Sequence, residues 1–117
     1  MSTPTVTDFL PLHPEAFRIL VILEGGARHG YALVKELERD PGRPGRVLPA
    51  NLYRRIRTLL EQGLIEETDA PADEQDEDER RRYFQVTPLG RDVVRAEADR
   101  MRELLVGAAA VLGPADR

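Results

Sequence analysis

Hydrophobic residues recur with helical spacing in four stretches of this chain, which predicts four helices. The first is expected to begin at the His-Pro pair 13–14 and to stop at the Gly-Gly pair 25–26. The second occupies 27–39, where one apolar stripe contains Tyr31, Leu33, Val34 and Leu37. Two prolines and two glycines in 40–46 prevent this helix from continuing, so that segment is predicted to be a loop.

The third stretch has a clear start, two distinct faces and a clear stop. Pro49 suits a first helical turn, and Gly63 suits the position just beyond a last turn. One face is predicted to be buried and carries Leu52, Ile56, Leu59 and Leu60. The opposite face carries Ala50, Asn51, Arg54, Thr58 and Glu61, with Arg55 and Arg57 on its flanks. Many charged helix faces are simply solvated, but this one also has the composition of a helix that reads DNA.

A β-hairpin is predicted directly after the third helix. Residues 63–65 lead into a strand, a charged tip follows, and 81–86 form the second strand. The pair 47–48 is expected to add a short strand against this hairpin. A helix followed at once by a hairpin is typical of a winged helix-turn-helix, so the predicted fold class is mainly α with a small β-hairpin.

The fourth stretch, 88–112, carries more apolar residues than one small core requires. Thr87-Pro88 suits the start of a helix, and Gly113-Pro114 suits its end. The pattern predicts a dimerisation helix, and the residues expected to contact a second subunit are Val94, Met101, Leu104, Leu105, Ala108 and Leu112. An alternative is that this helix folds back onto its own domain.

Five blocks, in this order, resemble the PadR family of bacterial transcriptional regulators. They are Arg28-His29-Gly30-Tyr31-Ala32-Leu33 with Lys35-Glu36-Leu37-Glu38, Leu52-Tyr53, 59–65 (LLEQGLI), Arg81-Arg82-Tyr83-Phe84, and Thr87-Pro88-Leu89-Gly90-Arg91. The resemblance implies a sequence-specific DNA-binding regulator, a repressor, that binds a pseudo-palindromic operator as a homodimer. The chain departs from the family pattern at Leu48, Ala50 and Asn51, where a small hydroxyl residue, a glycine and a Ser or Thr are usual.

Double-stranded DNA is therefore the expected partner, and two sets of residues are expected to contact it. Base edges are assigned to Asn51 and Arg54, with Thr58 as a further candidate, because residues near the start of a reading helix enter the major groove first. Phosphates are assigned to Arg28, Tyr53, Arg57, Arg80, Arg81 and Arg82. Tyr53 could instead be a half-buried core residue, and the run 80–82 could instead neutralise the acidic segment beside it.

The charge distribution is uneven, and it leaves a second function open. The net charge is -4, and residues 66–87 alone carry nine acidic residues against three arginines. The wing tip 69–79 should be repelled by phosphate, and it could be disordered, swing clear of DNA or inhibit binding. The alternative function is a winged-helix protein-interaction module whose acidic wing binds a basic partner.

Catalysis and cofactor binding find no support in the sequence. It lacks cysteine and any recognisable pairing of a nucleophile with a base, and His29 is interpreted as a structural residue near a helix start. Thus no enzyme activity, cofactor or metal is predicted, and a small-molecule effector would be of unknown identity. Without a signal segment or membrane span, a cytoplasmic location is expected.

The predicted organisation has four parts. They are a flexible N-terminal arm (1–12), a winged helix-turn-helix DNA-binding domain (13–87), a C-terminal dimerisation helix (88–112) and a tail (113–117).

Overall fold

The structure, a computed structural model, describes residues 4–40, 46–72 and 81–113. Its elements are, in order, a 3₁₀ helix (Val6–Phe9), α1 (Pro14–Glu24), β1 (Arg28–His29), α2 (Gly30–Glu38), α3 (Pro49–Glu61), β2 (Ile65–Thr68), β3 (Tyr83–Val86) and α4 (Pro88–Leu112). The predicted fold class, mainly helical with a small β-hairpin in a winged helix-turn-helix, is confirmed.

The small sheet has three strands in the order β1-β3-β2, and both pairs are antiparallel. Ile65 lies opposite Val86, and Thr68 lies opposite Tyr83, so β2 and β3 form the wing. On its other side β3 pairs with β1, where His29 lies opposite Tyr83. The strand expected from Val47-Leu48 is therefore wrong, because β1 occupies that edge of the hairpin.

The hydrophobic core lies between α1, α2, α3, the wing and the first half of α4. Its fully buried side chains include Ile19, Leu20, Leu33, Leu52, Leu59, Leu64 and Val93. The helical spacing in the sequence correctly identified the buried face of α3, which contains Leu52, Ile56 and Leu59. In α2 it was wrong for one residue, because Tyr31 is 57% exposed.

The described part of the predicted flexible arm, residues 4–12, is packed against the domain. Val6, Phe9, Leu10 and Leu12 contact the core. The Leu12 backbone N–H also donates a hydrogen bond of 2.9 Å to the carboxylate of Glu97 on α4. Partial burial of four apolar side chains favours one docked position for residues 4–12 over the loose arm expected from the sequence.

Two glycines fix how α3 joins the wing and how the wing joins α4. Gly63 has a φ of 75°, the left-handed conformation that ends α3. Gly90 lies so close to β2 that a Cβ there would be 2.0 Å from the Leu64 carbonyl oxygen. Thr87 caps α4 by accepting a hydrogen bond from the Gly90 N–H and donates one to the Gly63 carbonyl.

Candidate nucleic-acid interface

Helix α3 buries one face and exposes the other, as its sequence pattern predicts. Leu52, Ile56 and Leu59 are at most 3% exposed. The exposed residues on the solvent side are Ala50, Asn51, Tyr53, Arg54, Arg57, Thr58 and Glu61. Pro49 occupies the first turn, and Leu48, which offers no side-chain hydrogen bond, stands at the N-cap position. This placement leaves an amide, two guanidinium groups and two hydroxyls facing outward from one helix.

On one side of α3 a groove separates it from the start of α1. The groove has a volume of ≈ 420 Å³ and is lined by His13, Glu15, Asn51, Arg54, Arg55 and Thr58. The Thr58 hydroxyl donates to the Arg54 carbonyl at 3.2 Å, so the hydroxyl oxygen still has lone pairs for a further donor. The three predicted base-reading residues therefore share one groove.

On the other side of α3 a second cleft separates it from the wing; we call it the wing-side cleft. It has a volume of ≈ 440 Å³ and is lined by His29, Gly30, Tyr31, Tyr53, Ile56, Arg57, Leu60, Arg81, Arg82 and Phe84. No carboxylate is among these described lining residues, whereas three of them are arginines. Arginine and tyrosine side chains are groups that can bind a phosphate backbone.

Tyr53 is held in the wing-side cleft by its contact with α2. A Cβ on Gly30 would lie 2.6 Å from the Tyr53 hydroxyl oxygen, so the ring rests directly on the backbone at that glycine. Tyr53 is nevertheless 49% exposed. Tyr53 is thus half-exposed: its ring packs on α2, as in the half-buried alternative, and its side chain also lines the cleft.

The wing arginines differ in what they contact. Arg82 forms an ion pair with Glu67 on the neighbouring strand, and its guanidinium carbon lies 5.6 Å from the centroid of the Phe84 ring. The Nη1 of Arg81 is 3.2 Å from Nε2 of His29. Arg80 and most of the acidic tip, 73–79, lie outside the described residues.

Arg28, assigned to phosphate from the sequence, is engaged within the domain. Its Nε donates to the Glu36 carboxylate at 2.8 Å, and its Nη1 donates to the carbonyl of Gly26 at 2.7 Å. The side chain is 27% exposed. A phosphate contact would have to compete with this ion pair, so the structure favours a role for Arg28 in holding β1 to α2.

Tyr31 was not predicted to line the wing-side cleft, and Lys35 lies beside Tyr31. Both are exposed on α2, and the Lys35 Nζ lies 5.3 Å from the centroid of the Tyr31 ring. Helical periodicity placed Tyr31 in the buried stripe because its distance along the chain from Val34 and Leu37 fits the spacing of one helical face. Its position directly after His29-Gly30, at the capped start of the helix, was the available signal that it borders α3 and the wing.

The predicted dimerisation residues fall into two groups along α4. Val94 is 6% exposed and belongs to the core of its own domain, so it is not on the free part of the helix. Met101 and Ala108 are half-buried, whereas Leu104, Leu105 and Leu112 are 57%, 70% and 81% exposed. Val106 and Val111 extend this apolar surface.

The described residues form neither a metal site nor a membrane span. Among them, no group of three or more His, Asp or Glu side chains could hold a metal ion. No helix in the described ranges combines the length and the apolar character needed to cross a membrane.

Comparison with known proteins identifies the fold with a class of regulators. The model of the transcriptional regulator PadR-like family matches residues 19–96. A PadR family transcription regulator from Clostridium difficile superimposes with a TM-score of 0.73 at 21% identity, covering 86% of this chain and 100% of that chain. A PadR family transcriptional regulator from Eggerthella lenta gives 0.66 at 29% identity, covering 86% and 82%.

A transcriptional regulator from Clostridium thermocellum gives a TM-score of 0.66 at 19% identity, covering 97% of this chain and 99% of that chain. A search of curated proteins found no match.

Proposed function

We propose that this chain, which belongs to the PadR-like family of transcriptional regulators, is a repressor that binds a pseudo-palindromic DNA operator as a homodimer. Members of this family are transcriptional regulators and not enzymes.

The observation that carries the proposal is the division of α3 into a buried and an exposed face. Leu52, Ile56 and Leu59 anchor the helix in the core, while Asn51 and Arg54 point away from it. Arginine and asparagine form bidentate hydrogen bonds with guanine and adenine edges in the major groove. The buried face of α3 therefore holds the helix in place, and its exposed face supplies the groups that discriminate between bases.

Residues around α3 are proposed to bind the backbone on the side of the wing. Tyr53, Arg57, Arg81 and Arg82 line the wing-side cleft. A neutral hydroxyl contributes a hydrogen bond to phosphate, and each arginine also displaces condensed cations. These contacts would set the position of the protein on the duplex, while Asn51, Arg54 and Thr58 would set its sequence preference.

Homodimerisation is supported by the exposed end of α4. Five large apolar side chains between Leu104 and Leu112 are each more than half exposed, a concentration that is unusual for a monomer. A dimer with two-fold symmetry presents two copies of α3 to one face of DNA, which requires two half-sites separated by about 10 bp or a multiple of it.

Selection of genomic DNA fragments with the purified protein tests this proposal. We expect recovered fragments to share a palindromic sequence and to bind more tightly than a scrambled duplex of the same composition, by about a thousandfold or more at physiological salt. Equal affinity for the two duplexes would overturn it.

A further inference from the structure

Tyr31 lies in the first turn of α2, beside the start of α3. Its side chain is 57% exposed, although helical spacing places it in an apolar stripe. It lines the wing-side cleft, and it also lines a second groove of ≈ 380 Å³ between α2 and residues 46–49, which lead into α3. The Tyr31 ring therefore stands on the surface where the two grooves meet.

The start of α2 adjoins the exposed face of α3 directly. A Cβ on Gly30, the residue before Tyr31, would lie 2.6 Å from the hydroxyl oxygen of Tyr53, which is proposed to bind phosphate. In helix-turn-helix proteins the helix that precedes the reading helix crosses the DNA backbone. A duplex that α3 enters would thus bring its backbone to the surface that carries Tyr31.

Lys35 accompanies Tyr31 on this surface. The two residues are four positions apart, a spacing that makes them neighbours on one helix face. The Nζ of Lys35 lies 5.3 Å from the centroid of the Tyr31 ring, within the range of a cation–π contact. Glu38 lines the same groove, but its carboxylate accepts from the Val47 N–H, and within the described ranges no carboxylate forms an ion pair with Lys35. The ring contact leaves N–H groups of the ammonium for an anionic acceptor.

The choice of lysine at this position is distinctive, because Lys35 is the only lysine among the 17 Lys and Arg residues of the chain. A lysine binds phosphate as a compact charge, whereas an arginine binds it as a planar fork. Lys35 also lies in the last turn of α2, where a cation favours the helix dipole. That purely structural role would involve neither the Tyr31 hydroxyl nor DNA.

We propose that the Tyr31 hydroxyl and the Lys35 ammonium group form a phosphate-binding pair on α2, which extends the backbone contacts of α3 onto the preceding helix. That the phosphate belongs to DNA rests on the proposed function. The hydroxyl donates a hydrogen bond, the ammonium group adds a charge, and the Tyr31 ring holds the flexible lysine side chain beside the hydroxyl.

The two members of the pair should affect DNA binding differently. Lys35→Gln should weaken binding to selected and mixed-sequence duplexes by the same factor and lower the slope of log affinity against log salt by about 0.9. Lys35→Arg keeps the charge and should keep the slope. Tyr31→Phe removes only a neutral donor, so affinity should fall about tenfold with the slope unchanged.

Fluorescence anisotropy at several salt concentrations measures these changes, and Arg95→Gln on α4 is the control for a general loss of positive charge. It should leave both affinity and slope unchanged. If Lys35 serves only the helix dipole, Lys35→Gln will lower the melting temperature and leave the salt slope as in the wild type. That result would overturn the proposal.

The single lysine also allows the pair to be observed directly. Reductive methylation of the full chain with 13C-labelled formaldehyde keeps the charge and labels Lys35 as its only side chain. Lys35→Arg, which lacks this signal, assigns it. We expect Tyr31→Leu to shift the signal in the free protein, because the ring is lost, and a mixed-sequence duplex to shift it in the wild type. No shift on addition of the duplex would contradict the proposal.

The outcomes separate this proposal from the proposed function. If selected fragments share a palindrome but Tyr31→Phe and Lys35→Gln bind them as the wild type does, the phosphate-binding pair is wrong and the regulator stands. If both variants lose affinity for mixed-sequence DNA while no sequence is preferred, the pair stands and the sequence-specific repressor is wrong.

Discussion

At the scale of single residues, Glu97 connects the N-terminal segment to α4. It lies on α4, it is 1% exposed, and its carboxylate accepts hydrogen bonds from the Leu12 N–H at 2.9 Å and from Arg100 at 2.5 and 2.9 Å. The hydrogen bond from Arg100 lowers the pKa of Glu97, although burial of the carboxyl opposes this effect. The charged form therefore holds the N-terminal segment on α4.

This lowered pKa predicts the direction of a pH effect on stability. A carboxyl whose pKa is lower in the folded protein stabilises the fold above the pKa it has when unfolded, and the contribution is lost as pH falls through the folded value. Glu97→Gln should lower the free energy of unfolding by about 1–3 kcal/mol at pH 7 and flatten its decline towards acid pH. Urea denaturation at several pH values measures the free energy of unfolding at pH 7 and its decline towards acid pH.

Asp99→Asn is the matched control for Glu97→Gln. Asp99 forms the same type of i,i+3 pair, with Arg102 at 2.9 Å, but both side chains are more than 60% exposed. An exposed pair contributes little, so stability should change by less than about 0.5 kcal/mol. Equal losses in the two variants would show that burial of Glu97 has no special effect.

Two arginines on α3 should respond differently to removal. Arg54→Ala is expected to cost about 1–3 kcal/mol on the cognate operator and to relax preference at one base pair. Arg57→Ala should weaken cognate and random duplexes alike and lower the salt slope by about 0.9. Fluorescence anisotropy at several salt concentrations measures both quantities.

Arg95→Ala controls for the general loss of a positive charge, since Arg95 is exposed on α4, away from α3 and the wing. It should leave operator binding unchanged. A uniform loss on all duplexes for Arg54→Ala would remove that residue from base recognition.

At the scale of elements, the junction of the wing with α4 depends on a close approach. The Leu64 carbonyl accepts from the Thr87 N–H at 3.1 Å and lies against the backbone of Gly90. Any side chain at position 90 would also meet the Val86 Cγ2 at 2.9 Å. The first turn of α4 can therefore reach the sheet only with glycine there.

Gly90→Ala should lower the free energy of unfolding by about 1–3 kcal/mol, because the added methyl group forces α4 away from β2. Gly107→Ala is the control within the same helix. Within one chain a Cβ at 107 would meet nothing within 4 Å, so alanine should stabilise the helix itself by about 0.5–1 kcal/mol. Thermal unfolding of the two variants at one protein concentration should give shifts of opposite sign.

The sequence predicted the elements whose ends carry local signals. Pro49 and Gly63 bound α3, and Thr87-Pro88 begins α4, so their limits followed from capping and backbone preference alone. The strand β1 was not predicted, because two residues are too few to show an alternating pattern. Val47 was expected in a strand but fills the core just before α3.

Contacts between distant parts of the chain could not be predicted from the sequence. Docking of the N-terminal segment depends on a hydrogen bond between Leu12 and Glu97, 85 positions apart, and no local pattern reveals such a partner. The exposed face of α3 was predictable from periodicity. Arg28's engagement with Glu36 and the pairing of His29 with Arg81 required the three-dimensional structure.

At the scale of the whole molecule, α4 belongs to two environments. Gly90, Val93, Val94 and Glu97 are buried in the domain, while the residues from Leu104 onward are largely exposed. This change occurs within one uninterrupted helix of 25 residues. The far half therefore has an apolar surface that a second copy of the chain could cover.

Replacing Leu104 and Leu105 by glutamate should convert the proposed homodimer into a monomer, because four buried charges would face one another across a two-fold interface. The mass in solution at micromolar concentration measures this. Leu48→Glu replaces a leucine of similar exposure, 60%, at the start of α3 and should leave the mass unchanged. A monomeric wild-type mass would contradict the proposed assembly.

The continuity of α4 has a consequence for how such regulators could diverge. A helix of 25 residues is about 37 Å long. In the proposed homodimer this rigid helix would set the distance between the two copies of α3. Insertion or deletion of whole turns in its far half would then alter the distance and rotation between half-sites. The spacing of operator half-sites could therefore evolve through the length of α4, while the base sequence recognised within each half-site stayed the same.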